Sequence, residues 1–303
     1  MKRREFVNQT IKAGILTTAS LTFGKIPDLL AFTPKEYDLI AIKGGEPHLM
    51  FDQAIKSLGG MQAFVKKGDS VVVKPNIGWD VIPERAANTN PILVKRIVEH
   101  CIEVGAKDVY VFDHTCDDWN RCYSTSGIER AVKDAGGKIV PGNSERYFQE
   151  VTVSKGKRLR KTKVHELILE SDVFINVPIL KSHSSADLTI SMKNLMGIVW
   201  DRWYWHRNDL HQCIADFASF RKPDLNIVDA YYVMTKNGPR GVSKSDVVTL
   251  KSQIVSADIV AADAAAAKLF GSEPNEIDYM KIASDMEIGE IDLSKLNINR
   301  IIL

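Results

Sequence analysis

Residues 173–183 are Val-Phe-Ile-Asn-Val-Pro-Ile-Leu-Lys-Ser-His, and they are the strongest indication of this chain's architecture. The first five form an apolar run that is typical of a strand buried on both faces of a parallel sheet. The composition then changes abruptly to Lys181, Ser182 and His183. Ligands of open α/β sheets bind at the carboxyl ends of the strands. The stretch therefore predicts a buried parallel strand with a binding site at its end.

Apolar strands and amphipathic helices alternate on both sides of this stretch. Further strands are predicted at 71–73, 109–112 and 225–228, and helices at 92–104 and 258–270. This alternation favours a mainly parallel, doubly wound (Rossmann-like) α/β sheet.

Residues 36–303 are expected to form a single α/β domain that carries one insertion. Between 142 and 165 the pattern loosens into alternating residues around a turn rich in Lys and Arg. This segment predicts a small antiparallel insertion that faces solvent.

Residues 1–35 are expected to be a twin-arginine export signal and linker. The basic start Lys2-Arg3-Arg4 precedes a weakly apolar stretch at 11–23, as in such signals. That stretch is too short to cross about 30 Å of hydrocarbon, so no stable membrane span is expected. The expected partner is the twin-arginine translocase during export, and the expected compartment is the periplasm. The alternative is an amphipathic N-terminal helix of a cytoplasmic protein.

Charge argues against nucleic acid as a partner. Residues 1–35 hold six Lys or Arg and two Asp or Glu, a balance of +4, in a chain whose formal net charge is +2. The remaining body therefore carries −2. Nucleic-acid binding needs a concentrated basic face, and this body is close to neutral.

Polar residues follow four of the predicted strands at the point where each strand ends. They are Lys74 and Asn76, Asp113 and His114, Lys181 and His183, and Asp229. Because the carboxyl ends of parallel strands meet at one edge of a sheet, we expect these side chains to form one site.

The residue types at this edge suit an anionic ligand. The catalytic candidates are Lys181, His183, Lys193 and His114. The substrate-binding candidates are Lys74, Asn76, Asn194, Asn237 and Arg240. Lysine ammonium groups bind carboxylates, phosphates or developing oxyanions, histidine exchanges protons near neutral pH, and asparagine both donates and accepts. The expected partner is therefore a small anionic ligand.

A divalent metal is a second possibility at the same edge, and the cofactor is otherwise unidentified. Its ligands would be His183, Asp113, Asp229 and His206, which are nitrogen and oxygen donors that suit such ions. Hydrogen-bonded catalytic or structural histidines are the alternative.

The four cysteines do not have the spacing of an iron–sulfur or zinc motif. Cys116 and Cys122 either form a disulfide in an oxidising compartment or remain free thiols.

The aromatic cluster at 200–205 is either a lid over the ligand or an exposed docking patch.

These same residues carry a family resemblance. The motifs are Lys74-Pro75-Asn76, the run 177–183, Ser191-x-Lys193-Asn194, Asp229 with Asn237-Gly238-Pro239, and the stretch 257–263. Over roughly 37–270 the chain resembles the domain of unknown function 362 family. The resemblance implies an α/β fold with the strand-end residues in one site. Many members carry twin-arginine signals or fused ferredoxin-like modules, and the family's activity is unassigned. The cluster-binding cysteines of such modules are absent from this sequence.

The sequence therefore predicts an exported enzyme that acts on a small anionic substrate or cofactor, with possible metal assistance and an unspecified reaction. The alternative is a non-catalytic binding protein, or a carrier of a cofactor or metal for an exported partner. A redox protein that uses Cys116 and Cys122 is a third hypothesis.

Overall fold

A ten-stranded mixed sheet runs through residues 36–303, which are the part of the chain that the computed structural model describes. The strands are β1 Leu39–Lys43, β2 Ser70–Pro75, β3 Asp108–Val111, β4 Lys138–Ile139, β5 Phe148–Thr152, β6 Lys161–His165, β7 Val173–Val177, β8 Ile179–His183, β9 Asp187–Thr189, β10 Leu225–Met234, β11 Val247–Ser256 and β12 Ile298–Ile302. Of these, β5 and β6 form a separate two-stranded sheet. The predicted export signal lies outside the described residues.

Ten α-helices accompany the strands in the described part of the chain. They are α1 Pro47–Ser57, α2 Pro91–Glu103, α3 Trp119–Thr125, α4 Ile128–Asp134, α5 Glu166–Glu170, α6 Ser191–Asn194, α7 Arg202–Arg207, α8 Leu210–Ala218, α9 Ile259–Phe270 and α10 Asp278–Asp285. None of the helices within residues 36–303 is both long and apolar enough to cross a membrane.

Eight strands of the main sheet lie in the order β12-β1-β11-β10-β7-β2-β3-β4. The other two lie off this path, where β8 pairs with β10 and β9 pairs with β8. From β10 to β4 all neighbours are parallel. The chain runs outward from β2 to β3 and β4, then returns to the other side of β2 to form β7. The order therefore reverses between β2 and β7, and such a switch point opens a crevice at the carboxyl ends of the two strands.

Both faces of the sheet are covered by helices. In β2, Val71 and Val73 belong to a buried cluster that includes residues of α1, α2 and α4. Val72 belongs to a second cluster that includes residues of α6, α8, α9 and α10. Because successive strand residues point to opposite faces, a strand covered on both sides must be apolar throughout. The predicted fold class is confirmed.

The insertion is an antiparallel hairpin, as predicted. β5 pairs with β6 in the register Phe148↔His165 to Thr152↔Lys161. Exposed and half-buried side chains dominate β5, which agrees with a solvent-facing position.

The structure differs from the sequence-based expectation at β10 and β11. The strand predicted at 225–228 continues to Met234, so Asp229 lies inside β10 and not at its end. The continuation is possible because β10 pairs with the antiparallel strand β11 on one side and with β8 on the other. Neither partner is recognisable from the local sequence of β10.

Candidate functional site

A cavity of about 420 Å³ opens at the carboxyl edge of the sheet, beside the switch point. It is bounded by the segments that follow β2 and β3, by β8 and β9, and by α6 and α7. Nine of the sequence-predicted site residues line it: Lys74, Asn76, Asp113, His114, Lys181, His183, Lys193, Asn194 and His206. The structure therefore brings most of the predicted residues together.

Lys74 and Asp113 form a buried ion pair at the back of the cavity. Lys74 Nζ is 3.0 Å from Asp113 Oδ1, and Asp113 Oδ2 accepts a hydrogen bond of 2.7 Å from Ile77 N. Burial lowers the pKa of Lys74 and raises the pKa of Asp113, and each partner opposes the shift of the other. A Cβ on Gly197 would lie 2.6 Å from Lys74 Nζ, so only glycine allows the backbone to cover this pair.

Asparagine side chains connect the lysines to one another. Lys74 Nζ and Asn76 Nδ2 both donate to Asn194 Oδ1, at 2.7 and 3.0 Å. Asn194 Nδ2 in turn donates to Asn176 Oδ1 at 2.9 Å. Asn176 was not a predicted site residue, because it lies within the apolar strand β7. The network holds the ends of β2 and β7 and helix α6 in a fixed arrangement.

Lys181 is a buried lysine on β8. Its Nζ donates to Asn76 Oδ1 at 3.2 Å and to the carbonyl oxygen of Ala87. Burial lowers its pKa to about 7, and the nearby Lys193 acts in the same direction. Both protonation states are therefore accessible near neutral pH.

Lys193 and Thr189 point to a ligand. Lys193 is only 8% exposed, and burial lowers its pKa to about 8. Within residues 36–303 its ammonium makes no hydrogen bond or ion pair. The Thr189 hydroxyl is buried and without a partner in the same part of the chain, and both side chains line the cavity. A buried hydroxyl without a partner, beside a nearly buried ammonium, is costly unless a ligand accepts its hydrogen bond.

The backbone fixes opposite tautomers for two histidines of the cavity. His183 Nδ1 accepts a hydrogen bond from Ser185 N at 3.1 Å, so its Nε2 carries the proton when the ring is neutral. His114 Nδ1 lies 3.0 Å from Val199 O and must donate to it, so its Nε2 carries the lone pair. Burial, reinforced by neighbouring cations, lowers the pKa of His183 to about 2 and that of His114 to about 4. Both rings are therefore neutral at pH 7.

Arg202 is a cavity residue that the sequence did not single out. Its guanidinium donates to the carbonyl oxygens of His114 and Thr115, at 2.9 and 2.8 Å. It thereby ties α7 to the segment after β3. The sequence offered only its position inside the aromatic cluster, whereas no local pattern indicated Thr189.

Three predicted residues do not line the cavity. Asn237 Nδ2 donates to Asp246 Oδ1 at 2.7 Å, and Arg240 lies 3.4 Å from Asp117 Oδ2. The Asp229 carboxylate, inside β10, accepts hydrogen bonds from the backbone N–H groups of Asn90 and Tyr231. Burial raises its pKa to about 6. In this structure Asp229 joins β10 to the segment before α2.

The four predicted metal ligands are not assembled around one point. His183 and His206 line the cavity, but Asp113 is engaged by Lys74 and Asp229 lies elsewhere. Residues 36–303 contain no group of three or more His, Cys, Asp or Glu arranged to hold a metal ion. The arrangement therefore does not fit a divalent metal at these four residues.

The two cysteines of the predicted loop differ in their exposure to solvent. Cys116 is an exposed thiol that lines the cavity, while Cys122 is buried; both are free.

In the aromatic cluster Trp205 is fully buried, whereas Trp203 is 70% exposed at the rim of the cavity. Trp200 stacks on His114, with ring centroids 5.0 Å apart. The cluster is therefore not one surface.

Comparison with known proteins identifies relatives. A family model described as "Domain of unknown function (DUF362)" matches residues 71–268. A thylakoid-associated protein of Synechocystis sp. is 28% identical over 234 residues, which cover 75% of this chain and 70% of that protein.

Two solved structures resemble the chain at low sequence identity. The lactate racemase apoprotein from Thermoanaerobacterium thermosaccharolyticum has a TM-score of 0.48 at 12% identity, with 78% of this chain and 58% of that chain covered. A structural-genomics target from Thermotoga maritima has a TM-score of 0.47 at 11% identity, with 80% and 60% covered. The chain thus spans less than two thirds of each of these two structures.

Proposed function

The chain belongs to the family described as Domain of unknown function (DUF362), and we propose that it is an exported enzyme that binds a small organic anion and moves a proton on it. One observation carries the proposal. Lys193, which is only 8% exposed, makes no hydrogen bond or ion pair in the described part of the chain, and the buried Thr189 hydroxyl has no partner there; both side chains line the cavity at the carboxyl edge of the sheet.

The charge of the cavity supports an anionic ligand. Four cations line it, and Asp113 is its only carboxylate among the described residues. Asp113 already pairs with Lys74. Lys181, Lys193 and Arg202 have no acidic side chain within ion-pair distance in residues 36–303. Buried cations without counter-charges are unfavourable, and a bound carboxylate or phosphate would supply the missing negative charge.

The two histidines and Lys181 would provide acid–base chemistry. His183 presents an N–H donor that can hydrogen-bond to an oxygen of the ligand. His114 presents a lone pair that can accept a hydrogen bond, and its pKa of about 4 makes it a weak base. Lys181, with a pKa of about 7, can lose and regain a proton at neutral pH at little cost. Lys74 would hold its charge near the developing negative charge, since Asp113 keeps it in place.

Export by the twin-arginine route into the periplasm is part of the proposal and rests on Arg3, Arg4 and the stretch 11–23. Should that interpretation fail, the location would be the cytoplasm and the site chemistry would be unchanged. A bound divalent metal stays a prediction, and elemental analysis of protein from its own compartment tests it.

Replacing Lys193 by methionine tests the anion site. We expect the full-length protein to bind sulfate or oxalate in calorimetry, and Lys193→Met to weaken this at least tenfold, because a hydrogen bond to a charged group contributes about 1.5–3 kcal/mol. Lys95→Met is the matched control and should bind normally, because Lys95 lies on α2 with a side chain that is 42% exposed and lines neither cavity. Failure of the unmodified protein to bind either anion, or normal binding by Lys193→Met, would contradict the proposal.

Turnover separates an enzyme from a carrier. An acid–base enzyme should exchange carbon-bound hydrogen of a bound carboxylate with solvent deuterium, which NMR detects. Anion binding without exchange or product across a panel of carboxylates and phosphates would instead indicate a binding protein or carrier.

A further inference from the structure

A second cavity, of about 600 Å³, lies beside the first. It is formed by the β5–β6 hairpin and by the residues around α7. The two cavities share three lining residues: His114, Arg202 and Trp203. The two cavities therefore adjoin at these side chains.

The second cavity differs from the first in its charge. Its lining contains three cations and three carboxylates. Lys161 Nζ lies 3.3 Å from Glu150, and Lys163 Nζ lies 2.6 Å from Glu145. Two of the three cations are thus paired with carboxylates of the same lining, and the third, Arg202, is shared with the first cavity. The second cavity therefore does not favour a further anion. A neutral group suits it better.

Aromatic side chains give the second cavity a flat, partly apolar wall. Trp200, Trp203 and Tyr204 all line it. One face of Trp200 is covered by His114, since the two ring planes differ by only 4°. Trp203 is 70% exposed, so its indole is available to a ligand where the two cavities meet. Exposed indole rings bind flat rings by stacking.

We propose that the ligand has two parts: an anionic group held by Lys193 and Arg202 in the first cavity, and a flat aromatic ring that lies on Trp203 in the second. The anionic half rests on the proposed function. The aromatic part of the ligand is inferred from the second cavity, from the pairing of its two lysines with glutamates, and from the exposed indole of Trp203.

The affinities of phenyl phosphate and inorganic phosphate test this inference on the full-length protein. By calorimetry we expect phenyl phosphate to bind at least tenfold more tightly than inorganic phosphate, because the ring adds stacking and apolar burial. In Trp203→Ala the dissociation constants of phenyl phosphate and inorganic phosphate should differ by less than threefold. Cyclohexyl phosphate, whose ring is not flat, should bind the unmodified protein more weakly than phenyl phosphate.

Val242→Ala is the control for the loss of an exposed apolar side chain. Val242 is 75% exposed and lines neither cavity, so the affinity ratio should be unchanged. Two results would contradict the two-part ligand and leave the anion site intact. One is that inorganic phosphate binds and phenyl phosphate binds no more tightly. The other is that Trp203→Ala still binds phenyl phosphate more tightly than inorganic phosphate. Equal affinities for cyclohexyl and phenyl phosphate would rule out ring stacking. If neither phosphate compound binds, both proposals fail.

Discussion

Lys181 and Lys193 are lysines placed where water cannot reach them freely. Burial favours the neutral amine and lowers their pKa values to about 7 and about 8, from the ordinary value of 10.5. A bound anion favours the ammonium form and opposes this shift. Anion binding and protonation of the two lysines are therefore coupled.

This coupling predicts that anion affinity falls as the pH rises. Between about pH 7 and pH 8 the ligand-free lysines lose protons, while the anion-bound form keeps them, so binding takes up protons. Sulfate, whose charge is constant in this range, should bind at least tenfold more weakly at pH 9 than at pH 6. Calorimetry in two buffers of different ionisation enthalpy measures the uptake.

Lys181→Met should reduce this proton uptake, and Lys95→Met should leave it unchanged. An affinity for sulfate that stays constant from pH 6 to pH 9 would contradict the coupling.

At the scale of elements, the decisive piece is the short helix α6, which carries Lys193 and Asn194. Four residues cannot hold a helix by themselves. Asp263, on α9, accepts hydrogen bonds from the backbone N–H groups of Ser191 and Met192, at 2.7 and 3.0 Å. The long helix therefore positions the short one, and with it the ammonium of Lys193.

Asp263→Asn should weaken sulfate binding several-fold and also lower the free energy of unfolding by about 1–3 kcal/mol, because one backbone N–H of α6 loses its acceptor. Thermal or denaturant unfolding gives the stability, and calorimetry gives the affinity.

A matched control lies on the same helix. Asp258 caps α9 through Oδ1, which accepts from Val260 N and Ala261 N, and its Oδ2 accepts from Glu290 N at 2.9 Å. Asparagine keeps the first acceptor and loses the second. Asp258→Asn should lower stability but leave sulfate affinity unchanged. An equal loss of affinity in both variants would mean that Asp263 acts through general stability and not through the position of α6.

At the scale of the whole molecule, the reversal of strand order between β2 and β7 creates the site. It brings Lys74 from β2, Asp113 from the end of β3 and Lys181 from β8 to one edge of the sheet. These residues are far apart in the chain, and parallel strand pairing places them together.

The proposed export is a property of the full chain, because the twin-arginine route carries folded proteins. Replacing Arg3 and Arg4 together by lysine should retain the protein in the cytoplasm, since the pair is the recognised feature of such signals. Cell fractionation with an antibody measures the distribution. Lys12→Gln is the control and should not change it. Equal export of the double variant would refute the signal.

Local sequence was sufficient to predict the fold class, the antiparallel insertion and nine of the residues that line the cavity. Apolar runs, helical periodicity and the polar residues that follow each strand are local properties. They were enough to bring Lys74, Asp113, Lys181 and Lys193 into one prediction, because parallel strands share an edge.

The partners of these residues depend on the three-dimensional fold. That Asp229 lies inside β10, that Thr189 faces the same cavity as Lys193, and that Arg202 joins two cavities all depend on contacts between distant segments. Asp229 is held by Asn90 N, and α6 is held by Asp263. A side chain's partner across the fold is set by strand pairing and packing, which no local pattern of residues specifies.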